Sequence, residues 1–347
     1  MTWLRRIQSG FELRDVNELD QYVGKGSATG SINTTSGQYY TGNASLNLAG
    51  GVRPRGKTLP GSDKLSIRSN CFLRHGGTGT GDEGIIFLIT GSSEILLSYD
   101  SDDNLVRLKV GGSTVASDTP GNFGIPTTGV WYGIGIHVYR DASAGVVSVY
   151  VGGVQKLTYA GNTGTYTNGV FIGGEESANA WITPTTIDDF YFDYSTSSEV
   201  DLPPPSYRYD MIRPTADGTP TDWVCSTGSD NYANVDDTTP DDDSTYNSAT
   251  AIDVVDEYAL TDYTLATGYV ISSVIPLARA KKTSAVTDAQ IALGLDQGGT
   301  EEYGSGQSIG TTYGYIFDRF TDDPNNNAWT DARVDSIKLQ VKSTGTF

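Results

Sequence analysis

Apolar and polar residues alternate in residues 31–33 and 44–48, near the start of the chain. Further short, strand-like segments follow at residues 84–89, 95–99, 105–110 and 131–139, separated by clusters of Gly, Asp, Asn, Ser and Pro. Alternation with a period of two is typical of half-buried strands, and short strands at this spacing are typical of β-sandwiches. The pattern predicts short antiparallel strands joined by tight turns.

Residues 145–157 predict the clearest hairpin of the chain. Two apolar segments meet there at Gly152-Gly153. Glycine adopts the positive φ that a two-residue hairpin turn requires. We therefore expect two adjacent antiparallel strands on either side of this pair.

Residues 186–194 predict a buried strand that closes the first domain. Strict alternation divides its side chains between two faces. One face would carry Ile187, Tyr191 and Asp193, and the other would largely carry Phe190, Phe192 and Tyr194.

Three consecutive prolines, residues 203–205, follow this strand closely. Such a run can neither continue a strand ladder nor enter a helix, and it favours a short, stiff polyproline II spacer. The sequence thus predicts a first domain over residues 1–200, a linker over 201–206 and a second domain over 207–347.

The second domain is also predicted to be rich in strands. Residues 263–280 and 313–320 have strand-like apolar content. Residues 330–338 favour a short helix before a last strand, because Thr330 can cap a helix N-terminus.

Composition and charge narrow the class of function. The 347 residues include 42 Gly and 21 Tyr against 10 Phe, which is typical of sheets joined by tight turns. The net charge of −19 would repel a phosphate backbone, so no nucleic-acid partner is expected. Neither a secretory signal at the start nor an apolar run of membrane-spanning length is found, so no membrane partner is expected either.

The chain contains two cysteines, Cys71 and Cys225, one in each predicted domain. A disulfide within a domain is therefore not expected. Both are interpreted as reduced, packed side chains.

Five segments of the first domain carry a resemblance to a known family: residues 10–19, 40–48, 131–132, 149–153 and 187–193. Together they resemble the concanavalin A-like, or laminin G-like, jelly roll of tailed-bacteriophage virion proteins. Residues 236–246, 270–280 and 323–330 resemble a second β domain that follows such jelly rolls in phage particles. The fold class expected is all-β: a concanavalin A-like jelly-roll sandwich followed by a second, smaller β-sandwich.

The resemblance implies a place on the virion surface, as capsid decoration, minor capsid protein or head fibre. The partners implied are the major capsid protein or other virion proteins, and further copies of the same chain in an oligomer such as a trimer. A tail-associated adhesin that binds a cell-surface glycan is the alternative, and a glycan hydrolase is less favoured.

Enzymatic candidates in the sequence are few. Glycoside hydrolysis requires two carboxyl groups on opposite sides of one bond. The adjacent pairs Glu175-Glu176 and Asp188-Asp189 would point to opposite faces of a strand. His75 and His137 are the only histidines, and no Gly-x-Ser-x-Gly elbow accompanies them. No catalytic residue is predicted, and the protein is interpreted as a non-enzyme.

Asp-rich loops are the candidates for a metal, because Ca²⁺ binds several carboxylate and carbonyl oxygens. Residues 100–104, 236–243 and 322–327 form such loops, none of which has the spacing of an EF-hand. No cofactor is expected unless calcium binds one of them. The ligands favoured for calcium are Asp236, Asp237, Asp241, Asp242 and Asp243, with solvated turns as the alternative.

Aromatic residues near loops are the candidates for glycan binding. Sugar C–H faces stack on aromatic rings while nearby polar groups bind the hydroxyls. The side chains selected on this basis are Tyr99, Tyr166, Trp181 and Trp329. Core or interface packing is the alternative for each of them.

Overall fold

The computed structural model describes residues 4–9, 31–33, 45–47, 65–75, 83–100, 103–124, 129–165, 167–172, 185–195, 204, 207–283 and 288–346. The chain divides into two compact units, residues 1–210 and 211–347. Both units consist mainly of antiparallel strands, which confirms the predicted all-β fold class. None of the helices in these described ranges is long and apolar enough to cross a membrane.

The described strands of the first unit are numbered in chain order. They are β1 (Leu4–Ser9), β2 (Ser31–Asn33), β3 (Ser45–Asn47), β4 (Leu65–His75), β5 (Glu83–Gly91), β6 (Ile95–Asp100), β7 (Leu105–Val110), β8 (Ser113–Asp118), β9 (Trp131–Arg140), β10 (Gly145–Val151), β11 (Val154–Gly161), β12 (Thr167–Ile172) and β13 (Thr185–Ser195). A single helical turn, α1 (Pro120–Phe123), follows β8.

These strands form two sheets. An eight-stranded sheet has the order β11-β10-β9-β4-β13-β3-β2, with β1 also paired to β13. A five-stranded sheet has the order β12-β5-β6-β7-β8. The predicted hairpin is confirmed as β10 and β11, with Gly152 and Gly153 at φ of 56° and 79°.

A buried arginine connects the two sheets of the first unit. Arg140, at the end of β9, is fully buried, and its guanidinium donates to the carbonyls of Ser93, Thr163 and Ile89 and to Thr167 Oγ1. Burial lowers the pKa of Arg140 to about 10, so the side chain stays charged at neutral pH. One cation from the eight-stranded sheet thus satisfies acceptors on β5 and β12 of the five-stranded sheet and in two loops.

The closing strand β13 is buried as predicted, but its alternation is broken. Asp188 pairs with Phe72, whereas Tyr191 pairs with Asn70, so β13 contains one extra residue there. Asp189, inside this bulge, has a φ of 44°. Ile187 and Tyr191 consequently lie on opposite faces, and the prediction that they share a face was wrong.

The second unit contains β14 (Pro214–Thr221), β15 (Val224–Cys225), β16 (Asn247–Ser248), β17 (Val255–Leu260), β18 (Leu277–Ala280), β19 (Asp288–Gln297), β20 (Thr300–Tyr303), β21 (Gln307–Ser308), β22 (Gly314–Phe317) and β23 (Ile337–Thr346). A short 3-10 helix spans Tyr232–Asn234, and α2 spans Asp331–Val334. The main sheet has the order β14-β17-β23-β19-β20, with β21 also paired to β19. Two small ribbons, β15-β16 and β18-β22, complete the unit.

The end of the chain follows the prediction, whereas residues 263–276 do not. The Thr330 side chain caps α2 by accepting from the Arg333 amide, and the last strand follows. Residues 263–276 form no strand of a sheet, although Val274 makes one isolated bridge with Phe320. Tyr263, Ile271 and Val274 instead pack from an irregular segment against a core cluster of the unit. Burial alone therefore explains their apolar character.

Candidate functional site

The eight-stranded sheet of the first unit has one apolar and one polar face. The apolar face includes Ile67, Cys71 and Leu73 of β4, all fully buried. We call the opposite side the polar face. Its side chains come from four neighbouring strands whose pairing places them in rows: Arg68, Asn70, Phe72, Arg74, Gly133, Gly135, His137, Ser148, Tyr150, Tyr191 and Asp193.

An ion pair lies at the centre of the polar face. Arg68 and Asp193 are directly paired on β4 and β13, and Arg68 Nη2 lies 3.0 Å from Asp193 Oδ2. Asp193 is 1% exposed, and His137 beside Arg68 is equally buried. A buried charge needs a partner, so this arginine holds the carboxylate in place.

The chain covers part of its own polar face. We call residues 204–209 the strap, of which Pro204 and residues 207–209 are described. Pro204 is buried beside Gly135, and the Tyr207 ring meets the Tyr191 ring edge-on with centroids 4.8 Å apart. The prolines thus include one that packs on the first unit rather than forming a free spacer.

The Tyr209 amide attaches the strap to the bulge of β13. Its N–H donates to Asp189 Oδ1 over 3.2 Å, and Asp188 Oδ1 accepts the Asp189 amide. Both carboxylates are fully buried. These two aspartates support the bulge and the strap, while Glu175 and Glu176, the other pair considered for catalysis, lie outside the described residues.

Two of the five candidate calcium ligands in the acidic loop 236–243 pair with basic side chains. Asp242 makes two hydrogen bonds with Arg279, at 2.6 and 3.0 Å, and Asp243 pairs with Lys281 at 2.5 Å. The hydrogen bonds from Arg279 and Lys281 lower the pKa values of Asp242 and Asp243, respectively. These oxygens bind the ribbon β18-β22 instead of converging on one point.

Asp237 and Asp241, two further candidate calcium ligands, both contact the nearby Thr245. Thr245 Oγ1 donates to Asp241 Oδ2 over 2.9 Å and contacts Asp237 Oδ2 at 3.3 Å. Partial burial and the nearby Asp241 charge raise the pKa of Asp237. In the described ranges, no group of three or more His, Cys, Asp or Glu side chains could hold a metal ion, so Asp236 belongs to no such group.

The other two acidic loops are likewise held by protein partners. Asp100 and Asp103 both pair with Arg107. Asp323, which is 2% exposed, accepts the amides of Asn325 and Asn327 and pairs with Arg333 at 3.1 Å. These are turn and loop contacts, which was the alternative considered from the sequence.

Two of the four candidate glycan-binding aromatics, Trp329 and Tyr99, are among the described residues. Trp329 is 5% exposed, belongs to a core cluster and donates its indole N–H to the Phe320 carbonyl, so its ring offers no face to a sugar. Tyr99 is half-buried and its hydroxyl donates to Asn104. Tyr166 and Trp181 lie outside the described residues.

A cluster of aromatic and basic side chains on the second unit was missed. Arg279 and Lys281 lie 5.4 and 4.5 Å from the centroid of the Tyr313 ring, and Tyr313 donates to Asp243. Tyr246, close to this group, is 42% exposed. In the sequence, Arg279 and Lys281 alternate along one segment, and Tyr313 and Tyr315 alternate along another. This pattern indicates a cluster only when the two segments are known to pair as β18 and β22.

A second missed group lies on the main sheet of the second unit. Glu257 is 2% exposed and accepts from Lys338 Nζ, the Gln340 amide and the Thr219 N–H. Burial alone would raise the pKa of Glu257, but these hydrogen bonds outweigh it and hold the pKa below its ordinary value. Its oxygens are fully used in holding three strands together.

Comparison with known proteins identifies no family. No family model and no curated protein sequence matches the chain. Among solved structures, the chain is similar to the cellulose-induced protein Cip1, with 12% identity, a TM-score of 0.40, and coverage of 55% of this chain and 97% of that one. An endo-1,3-β-glucanase from Streptomyces sioyaensis is 13% identical, with a TM-score of 0.33, and the match covers 55% of this chain and 96% of that one.

A third match is the galectin LEC-6 of Caenorhabditis elegans, at 10% identity and a TM-score of 0.27, covering 40% of this chain and 94% of that one. At these identities and TM-scores, the three similarities carry no argument about ligands or reactions. Their names also do not bear on the predicted phage origin.

Proposed function

We propose that this protein is a non-enzymatic contact protein of a tailed-phage virion surface, either capsid decoration, a minor capsid protein or a head fibre. The observation that supports a non-enzymatic role is the arrangement of side chains on the polar face. Arg68 and Asp193 neutralise each other there, and the strap covers Gly135 and Tyr191. Such a face supports rigid binding rather than turnover.

The partners proposed are the major capsid protein, other virion proteins and further copies of this chain. The excess of carboxylates, with a net charge of −19, favours partners that present basic patches. Oligomers would follow the symmetry of the particle.

Labelled particles test this proposal. Antibodies against the second unit, carried on gold, would be imaged on intact particles of the phage that encodes the chain. We expect regular labelling of the head or tail surface. Intact particles that lack both label and the protein itself would overturn the proposal.

A glycan-binding adhesin is the second candidate, and one observation favours it. Tyr246 is an exposed ring beside carboxylates and amines of the Tyr313 cluster, which is the combination that sugars bind. A glycan array probed with the whole protein would test it, with Tyr246→Ala as the site variant and Tyr269→Ala, another exposed tyrosine, as the control. Signal lost only in Tyr246→Ala supports the adhesin, and a dark array contradicts it.

A further inference from the structure

The strap meets the polar face at a glycine that leaves room for it. A Cβ atom at Gly135 would lie 3.1 Å from Pro204 Cγ, 3.3 Å from Pro204 Cβ and 3.1 Å from Asn70 Nδ2. These distances are shorter than ordinary van der Waals contacts of a methyl group. Any side chain at position 135 would therefore compete with the strap for the same space.

The groove under the strap also contains an unused acceptor. Asn70 is 3% exposed, and its Oδ1 has no hydrogen-bond partner among the described residues. Pro204, which lies over this place, has no N–H to donate. The strap therefore fills the groove sterically without using all of its hydrogen-bonding capacity, a condition under which the occupant can be exchanged.

We propose that the centre of the polar face, formed by Asn70, Gly135 and Tyr191, is a docking groove for an extended peptide that contains proline and tyrosine. The strap is its occupant in cis, and it leaves the groove when a competing peptide binds. Residues 207–209 belong to no strand and Arg208 is exposed, so release breaks no strand ladder.

Trypsin provides a direct readout, because the bond after Arg208 lies inside the strap. Cleavage there would be followed by mass spectrometry of the full chain. For Gly135→Ala we expect the rate to rise about tenfold, since overpacking favours the released strap. The matched control is Gly133→Ala on the same strand and face, where the three nearest atoms all belong to Phe72; its rate should stay within about twofold of the wild type.

A second variant tests the proposal without relying on the folding of Gly135→Ala. Tyr207→Ala deletes the ring that packs on Tyr191 and lies outside all strands, so it should also accelerate cleavage, whereas Arg208→Lys should not. A fluorescent peptide of residues 203–210 should then bind Tyr207→Ala more tightly than the wild type, and a peptide with Ala at position 207 should bind neither. Unchanged cleavage in both variants, or peptide binding that ignores the tyrosine, would overturn the proposal.

Discussion

Glu257 lies directly opposite Gln340 in the β17-β23 pair, and the Gln340 amide donates to the Glu257 carboxylate over 2.9 Å. The same Gln340 nitrogen lies 3.0 Å from Glu301 Oε1 on the edge strand β20. One amide therefore connects two carboxylates, of which Glu257 is buried and Glu301 is exposed. Replacing each glutamate by glutamine therefore measures how much burial adds to the stabilising effect of such a hydrogen bond.

Glu257→Gln should destabilise the second unit by about 2–3 kcal/mol, because it places a new amide against the donors of Lys338 and Gln340. Glu301→Gln is the control and should change the free energy of unfolding by less than about 0.5 kcal/mol. Urea denaturation monitored on the second unit measures both. Equal losses in the two variants would show that the buried network is not what stabilises this sheet.

The pH dependence of stability should report on Asp323. Burial alone would raise the pKa of this carboxyl, but the hydrogen bonds from Asn327 and Asn325 and the charge of Arg333 lower it below its ordinary value. A depressed folded-state pKa stabilises the fold above the unfolded-state pKa, and this contribution is lost as the pH falls through the folded-state value.

Asp323→Asn should therefore be less stable than the wild type at pH 7, by about 1–2 kcal/mol. The stabilities of the two proteins should converge as the pH falls through the folded-state pKa of Asp323. Thermal unfolding at a series of pH values measures the difference. A stability difference between the two proteins that stays constant with pH would mean that packing, and not the charge, explains the loss of stability.

Arg140 is predicted to be essential for the first unit. Arg140→Met removes the donors to Ser93, Thr163 and Ile89 and leaves their buried carbonyls without this partner, so we expect a loss of about 3 kcal/mol or more. Arg107→Met, at a partly exposed ion pair, should cost less than about 1 kcal/mol. Denaturation of the first unit measures both variants, and similar losses would contradict the role of Arg140.

Two neighbouring aspartates should change stability in opposite directions. The pKa of Asp242 is lowered by Arg279, so Asp242→Asn should destabilise the second unit at pH 7. The pKa of Asp237 is raised by burial and by Asp241, so its charge opposes folding above that pKa, and Asp237→Asn should stabilise.

Both changes should be smaller than about 1 kcal/mol and should diminish in high salt. Melting temperatures at low and high ionic strength provide the measurement. A lower melting temperature for Asp237→Asn would show that the hydrogen bond from Thr245 outweighs burial and the charge of Asp241.

Local sequence patterns predicted the features whose causes are local. The Gly152-Gly153 hairpin and the Thr330 cap depend on backbone preferences of a few adjacent residues, and both are present. The bulge at Asp189 escaped prediction because it depends on the register with β4, and strict alternation assumes that no bulge exists.

The candidate sites were harder to predict because their contacts are distant in sequence. Asp242 meets Arg279 across 37 positions, and Glu257 meets Gln340 across 83. A run of aspartates indicates available ligands but not the cations that the fold places beside them. Likewise, a proline run suggests a spacer, whereas the packing of Pro204 on Gly135 appears only when β9 is in place.

The central claim is that the polar face of the first unit binds without catalysing. The most direct measurement compares the wild type with Gly135→Ala on a panel of neutral and acidic polysaccharides, quantifying new chain ends over time. The account predicts no product from either protein, because removing the strap exposes a peptide groove and no catalytic pair. Product formed by either protein, at a rate that a single carboxylate substitution abolishes without unfolding the unit, would contradict it.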